Sequence, residues 1–264
     1  MKAGDLVPPI IARALRRMRP GAIRWTGDYA VWSDAAAAAG GYEAPEILIR
    51  TEAALNEVLA GRAAFERDGV AFHDPEARTG LLSSLLLARL LNGRPLRVVD
   101  WGGSLASAWL QHRRWLPAGT IQTWGVVEQA AVVIKGNQLL RDDTVSFHTS
   151  FADASAGGVD MVLWGASLQY FAEPHYSLHE ACASPASYLC LERLATTSRG
   201  RDRLTVQHVP RSIYRANYPA WFLDAAALGR SLGTAGLTKI LDWSCSDDAG
   251  LPETSFIGQL WKRV

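Results

Sequence analysis

Arg97-Val98-Val99-Asp100-Trp101-Gly102-Gly103-Ser104-Leu105-Ala106-Ser107 decides the fold. A short apolar run ends in an acid, two glycines follow, and small residues open a helix. An α/β protein builds a nucleotide-type pocket this way at the end of its first core strand. Glycine carries no Cβ, so a ligand can approach the backbone. The helix that follows presents N–H groups with no intrahelical partner.

C-terminal to this segment, strand patterns alternate with helical ones. Strands are predicted over 96–100, 123–128, 145–148, 159–164 and 188–192, with helices over 105–116, 129–140 and 178–183. Such alternation implies a parallel sheet with helices on both faces. The end of the chain departs from it. A helix over 225–232 precedes strands over 237–244 and 255–263, joined through Ser246-Asp247-Asp248-Ala249-Gly250 as an antiparallel hairpin. The expected fold class is therefore α/β, with a seven-stranded, mostly parallel, Rossmann-like sheet that ends in an antiparallel hairpin.

N-terminal to it the texture is helical, with no convincing strand. Residues 6–18 read as a basic amphipathic helix, 45–59 as a second helix ended by Gly61, and 79–91 as a third stopped by Asn92-Gly93. The division expected is a helical extension or lid over 1–93 and a ligand-binding domain over 94–264. Trp25, Tyr29, Trp32 and Tyr42 cluster within the extension.

The bulk numbers exclude several classes. The chain has 264 residues, with 48% hydrophobic and 20% charged, which suits a soluble globular protein. A net charge of +1 supplies no global field for nucleic acid. Cys182, Cys190 and Cys245 are widely spaced and form no CxxC pair. That argues against a disulfide scaffold or zinc site and fits the cytoplasm. No secretory signal is expected, no apolar run approaches the length of a transmembrane segment, and no metal-ligand spacing stands out.

Three features point to a nucleoside ligand. Asp100, Gly102, Gly103 and Ser104 form the loop itself, although the strict G-x-G-x-x-G spacing is absent and Ala106 stands at the third small position. Glu128, followed by Gln129, ends the second strand, where an acid accepts hydrogen bonds from ribose hydroxyls. The run from Asp160 to Tyr170 carries a buried strand into a polar and aromatic turn, which sets Trp164, Ser167, Gln169 and Tyr170 beyond the strand ends. A structural turn and core aromatics are the competing readings. The missing third glycine and the terminal hairpin favour a phosphate-free nucleoside over a dinucleotide.

The chain resembles a group of S-adenosylmethionine (SAM)-dependent methyltransferases of class I whose genes often lie in surface-polysaccharide regions. The resemblance spans roughly residues 25–264. It rests on Phe65-Glu66-Arg67-Asp68, Val99 to Leu105, Val126-Val127-Glu128-Gln129, Ser167-Leu168-Gln169-Tyr170, Asp202-Arg203-Leu204-Thr205-Val206-Gln207 and Tyr218-Pro219-Ala220-Trp221-Phe222. The last two are the most specific. The chain departs from the pattern at Ala106, where the group has glycine, and at Trp101, where it has phenylalanine. The resemblance implies an enzyme that takes SAM and O-methylates a saccharide or sugar-linked small molecule in polysaccharide biosynthesis. A catalytically silent SAM-binding module and an NAD-dependent sugar-modifying enzyme are the alternatives.

Residues 193–222 show no clear periodicity and read as a basic, aromatic lid or acceptor wall. Arg203, Tyr218 and Trp221 are its candidate acceptor-binding residues, with Tyr170 from the earlier turn. His208 is the candidate general base on the ground of its pKa class, and His148, His175 and His73 are alternatives. Core packing and surface ion pairing are the competing roles for these residues.

Overall fold

The structure, a computed structural model, describes residues 23–39, 45–210 and 216–264. The strands are β1 (Arg24–Tyr29), β2 (Phe65–Arg67), β3 (Val70–Phe72), β4 (Leu96–Trp101), β5 (Ile121–Val127), β6 (Val145–His148), β7 (Met161–Gly165), β8 (Tyr188–Thr197), β9 (Arg203–Val209), β10 (Ala216–Asp224), β11 (Leu237–Ser244) and β12 (Thr254–Arg263). The helices are α1 (Trp32–Ala38), α2 (Pro45–Leu59), α3 (Thr79–Asn92), α4 (Ser107–His112), α5 (Ala130–Leu139), α6 (Phe151–Ser155), α7 (Pro174–Ala183) and α8 (Ala225–Thr234). The basic helix expected over 6–18, Tyr42, Arg211 and Arg215 lie outside the described residues.

β4 is the centre of the sheet. It pairs in parallel with β5 on one side and β7 on the other. β6 continues beyond β5 and β8 beyond β7, both in parallel. β12 then runs antiparallel to β8, and β11 antiparallel to β12, which is the expected terminal hairpin. The two faces of β4 feed two cores. Val98 packs with Leu81, Leu85, Leu105, Trp124 and Met161 beneath α3 and α4. Val99 packs with Val162, Trp164, Leu168 and Leu189 on the other face. Burial on both sides is why these strands read as short apolar runs.

Among the described residues, the sheet carries ten strands rather than seven. β8 outruns β7, and at Thr196 and Thr197 it takes β10 as a parallel neighbour. β10 pairs antiparallel with β9 along its length, and β9 with β1. The stretch after the fifth core strand thus supplies β9 and β10, which with β1 make a three-stranded annex rather than an irregular lid. β9 and β10 are covered on both faces, which removes the alternation a half-exposed strand would show. β1 belongs to the half that read as helical. It is an edge strand with mostly exposed side chains, so it left no apolar pattern. β2 and β3 form a separate hairpin over Asp68 and Gly69, both at positive φ. Asp-Gly is the residue pair that this turn prefers.

Candidate functional site

Two cavities open at the C-terminal ends of β4, β5 and β7. The inner one, about 320 Å3, is lined by Asp100, Gly102, Gly103, Ser104, Ser107, Ser167, Gln169, Tyr170 and Tyr218, with Arg67, Asp68, Arg78, Arg193, Gln207 and Asp247 among the rest. The outer one, about 500 Å3, is lined by Trp101, Gly102, Glu128, Gln129, Thr149, Ser167, Tyr170, Phe171 and Tyr176. Gly102, Ser167 and Tyr170 belong to both. An elongated ligand crossing from one to the other passes over the glycines.

Protein side chains fill the space beside both glycines. Gly102 has φ +77, and a Cβ there would stand 2.5 Å from the Ser167 Cβ. At Gly103 a Cβ would stand 2.5 Å from the Asp100 carboxyl carbon. Ser167 cannot retreat, because its Oγ donates to the Trp101 carbonyl. Ser104 and Ala106 follow at φ 54 and 64, a left-handed conformation that L residues adopt at a cost. Ala106 is itself fully buried, so the group's third glycine answers here to backbone conformation.

Asp100, next to last in β4, is fully buried. Its Oδ2 accepts from the Trp124 indole at 3.2 Å, while Oδ1 has no partner. Burial pushes its pKa up to about 7, against the Trp124 bond and the charge of Arg78. Glu128 stands just beyond β5. Its Oε1 accepts from the Ser104 N–H at 3.1 Å and its Oε2 from the Gln129 N–H at 2.9 Å. Burial raises its pKa as well. Glu128 thereby ties the glycine loop to the strand beside it and presents its carboxylate to the outer cavity.

On the annex side, Tyr170 donates to Gln207 Oε1 at 2.9 Å, and Gln207 Nε2 donates to the Tyr218 hydroxyl oxygen at 3.2 Å. The two rings meet edge to face at 5.2 Å. Gln169 is held by Nε2 bonds to the Ala166 and Arg193 carbonyls, and its Oε1 is buried without a partner. Ala166, just after β7, and Arg193, in the middle of β8, both have positive φ (74 and 52). Backbone strain of this kind concentrates at functional sites.

Of the residues picked from the sequence, Asp100, Gly102, Gly103, Ser104, Ser167, Gln169, Tyr170 and Tyr218 line the inner cavity, and Glu128 and Gln129 the outer. Four stand elsewhere. Trp164 is 1% exposed and packs in the core, stacked on Trp101 at 5.8 Å. Its place on β7 points it into the sheet rather than beyond the strand end. Trp221 stacks on Trp32 at 6.4 Å. Arg203 donates through Nε and Nη2 to the Gly27 carbonyl. His208 neighbours Gln207 on β9 and so points to the opposite face. Its Nε2 bonds Thr26 Oγ1 at 2.7 Å and its Nδ1 bonds Asn217 Oδ1 at 3.0 Å. His175 pairs with Asp202 at 2.5 Å, His148 bonds Ser146, and His73 bonds the Arg62 carbonyl. Among the described residues, no histidine lines the inner or the outer cavity.

Sequence reasoning missed the charged wall of the inner cavity. Arg193 forms a bidentate pair with Asp247 at 2.9 and 3.2 Å and reaches Asp68 at 3.7 Å. Outside that lining, Glu66 on β2 is 1% exposed, accepts from the hydroxyl of the lining residue Ser107, and leaves Oε2 buried without a partner. Burial pushes it up to about 7. Arg78 leaves Nε and Nη1 buried without partners. The one local signal for Arg78 is that it occupies the N-cap of α3 without capping it, a position that Ser, Thr, Asp or Asn usually fills.

No family model matches the chain, and no curated relative matches it either. Solved structures do match. The N-terminal domain of EvdMO1, crystallised in the presence of S-adenosylhomocysteine (SAH) and D-fucose, aligns with TM-score 0.50 and 18% identity over 85% of this chain and 98% of its own. A 1,6-didemethyltoxoflavin-N1-methyltransferase from Burkholderia thailandensis aligns with TM-score 0.44 and 15% identity over 86% and 95%. The likeness to the first is one of fold: this chain has the Rossmann-like α/β arrangement expected of class I methyltransferases.

Proposed function

We propose that the protein is a SAM-dependent methyltransferase acting on a small-molecule acceptor. The observation that carries this reading is the pair of joined cavities at the strand ends. Glu128 serves one, and the unpartnered Oδ1 of Asp100 serves the other. A nucleoside joined to an amino acid needs such a path: an acid for the ribose hydroxyls, close backbone approach at the middle, and an acid for the ammonium group. The residues fit that ligand: the Asp100 carboxyl packs directly on the Gly103 backbone, where a Cβ would stand 2.5 Å from its carboxyl carbon, and it lines the inner cavity. The buried Oδ1 lacks a donor that an ammonium would supply.

SAM supplies an electrophilic methyl group on a sulfonium. The chain's own work is placement. Glu128 holds the ribose, Asp100 the ammonium, and Phe171 and Tyr176 flank the nucleoside end. Tyr170, Gln207 and Tyr218 form the wall against which the acceptor lies. Alignment of acceptor and methyl accounts for much of the acceleration available to such a transfer. A saccharide or sugar-linked acceptor, O-methylated in surface-polysaccharide synthesis, is the finer reading. It is supported by the sequence resemblance and by an aromatic wall carrying an amide, the kind of surface that stacks on a sugar and hydrogen-bonds its hydroxyls. A general base from His208 would require that side chain to leave Thr26 and Asn217 and reach across β9.

Titration calorimetry with SAM, SAH and NADH tests the reading. Binding of the first two and none of the third is expected. Binding of NADH alone would overturn it in favour of a dehydrogenase.

A further inference from the structure

Arg78 is the least explained charge in the molecule. It stands at the wall of the inner cavity, with its Nε and Nη1 buried and without partners. The other arginines there are occupied. Arg193 is taken by Asp247 and Asp68, and Arg67 lies against the Phe65 and Phe72 rings and reaches Glu76 at 4.0 Å. Nothing about Arg78 is loose. Its backbone N–H donates to His112 Nε2 at 3.0 Å, and His112 Nδ1 bonds the Ala108 carbonyl at 2.7 Å. Burial and the Arg78 charge lower His112 to about 4, which keeps the imidazole neutral and able to accept that N–H. The first turn of α3 carries no acid to offset the guanidinium.

Across the same cavity stands Asp100, also with a buried, unpartnered atom. The cavity therefore presents a cation and an acid that each keep an unsatisfied polar atom; Glu192 offsets part of the Arg78 charge without bonding its Nε or Nη1. A buried unpaired charge is costly. A ligand bearing both an ammonium and a carboxylate on one carbon would satisfy both at once, and a planar carboxylate matches the fork of a guanidinium.

Resting on the cofactor reading above, we infer that Arg78 is the carboxylate anchor of the inner cavity, holding the amino-acid end of the cofactor opposite Asp100. His112 is the positioning residue behind it. The acceptor then carries no anionic group at this spot, because the guanidinium is already matched when the cofactor is bound.

Calorimetry with SAH and with 5′-methylthioadenosine, which lacks the amino-acid end, tests the assignment on the unaltered chain and on Arg78→Gln. Loss of a bidentate charge-assisted contact should weaken SAH about 10- to 100-fold and leave 5′-methylthioadenosine unchanged. The ligand-free variant should melt no lower than the unaltered chain, since it loses an unpaired buried charge. Equal SAH affinity in the two proteins, or equal weakening of both ligands, would overturn the assignment. Absence of SAH binding by the unaltered chain is a different failure, which removes the cofactor reading itself and this anchor with it.

Discussion

The floor of the inner cavity and the outer edge of the annex treat their charges in opposite ways. At the floor, Asp100 and Arg78, and beside it Glu66 bonded to Ser107, are buried with atoms that no protein group satisfies. At the edge, Asp28 is held by Arg201 and Arg199, His175 by Asp202, and Arg203 by the Gly27 carbonyl. Pairs of the second kind hold strands together and contribute little each. Charges of the first kind destabilise the fold unless something outside the chain completes them. The contrast separates a basic stretch that looks functional in sequence from a small polar floor of which only Asp100 does.

The largest effect is expected where the floor meets the backbone. Gly102→Ala places a Cβ 2.5 Å from a Ser167 side chain that has nowhere to go, at φ +77. We expect a loss of about 2–4 kcal/mol in stability, read as a lower melting temperature, together with no measurable SAH binding. A variant that melts and binds normally would remove the turn from the site. Glu128→Ala should come next. It should weaken SAH roughly 10- to 100-fold in calorimetry, because ribose hydroxyls would lose a charged acceptor. The same substitution at Asp28 on the annex should leave SAH affinity unchanged.

How much of this was legible in the sequence follows from local versus distant causes. Val98-Val99, Val126-Val127 and Met161-Val162-Leu163 announced parallel strands because each is buried on both faces. Asp100, Gly102 and Glu128 were legible because a strand's end and its next turn are consecutive in the chain. β1 was not, since Arg24-Trp25-Thr26-Gly27-Asp28-Tyr29 owes its strand conformation to a partner, β9, far away in sequence. The Asp68-Gly69 turn was legible and passed over, because its strands are only three residues each. Arg78 and Arg193 were beyond reach. One is aimed by His112 from α4, and the other by a left-handed residue in the middle of β8, opposite a register shift in β12.

The pH dependence of stability sharpens the contrast further. An aspartate titrates at about 3.9 in the unfolded chain, and burial raises Asp100 to about 7 in the fold. The folded protein therefore holds an extra proton between these values, and stability falls as pH rises through that window. Asp100→Asn should remove the penalty. It should leave stability near that of the unaltered chain below about pH 4 and raise it by on the order of 4 kcal/mol at pH 8, while weakening SAH. Asp202 has the opposite sign. Burial opposes ionisation there, but bonds from His175 and the Asp224 N–H hold its pKa below the usual value. Its contribution is present at neutral pH and is lost on acidification through the folded pKa, so Asp202→Asn should cost about 1 kcal/mol at pH 7 and less at pH 3. Chemical denaturation across pH reads both. Parallel profiles for the two variants would erase the distinction between floor and edge.

The smallest effect is expected at His208, the side chain that pKa class alone would choose as a base. It joins β1 to β9 through Thr26 and contacts β10 through Asn217. If it belongs to the edge, His208→Ala should lose about 1 kcal/mol for its hydrogen bonds, leave SAH affinity unaltered, and leave turnover unaltered once an acceptor is in hand. Asn217→Ala should then lower the melting temperature by a similar amount, because it breaks one of the same contacts. A fall in turnover with His208→Ala, at unchanged melting temperature and unmatched by Asn217→Ala, would instead move His208 to the chemistry. The annex would then have to open during the reaction, since the imidazole and the Asp100 floor lie on opposite sides of β9.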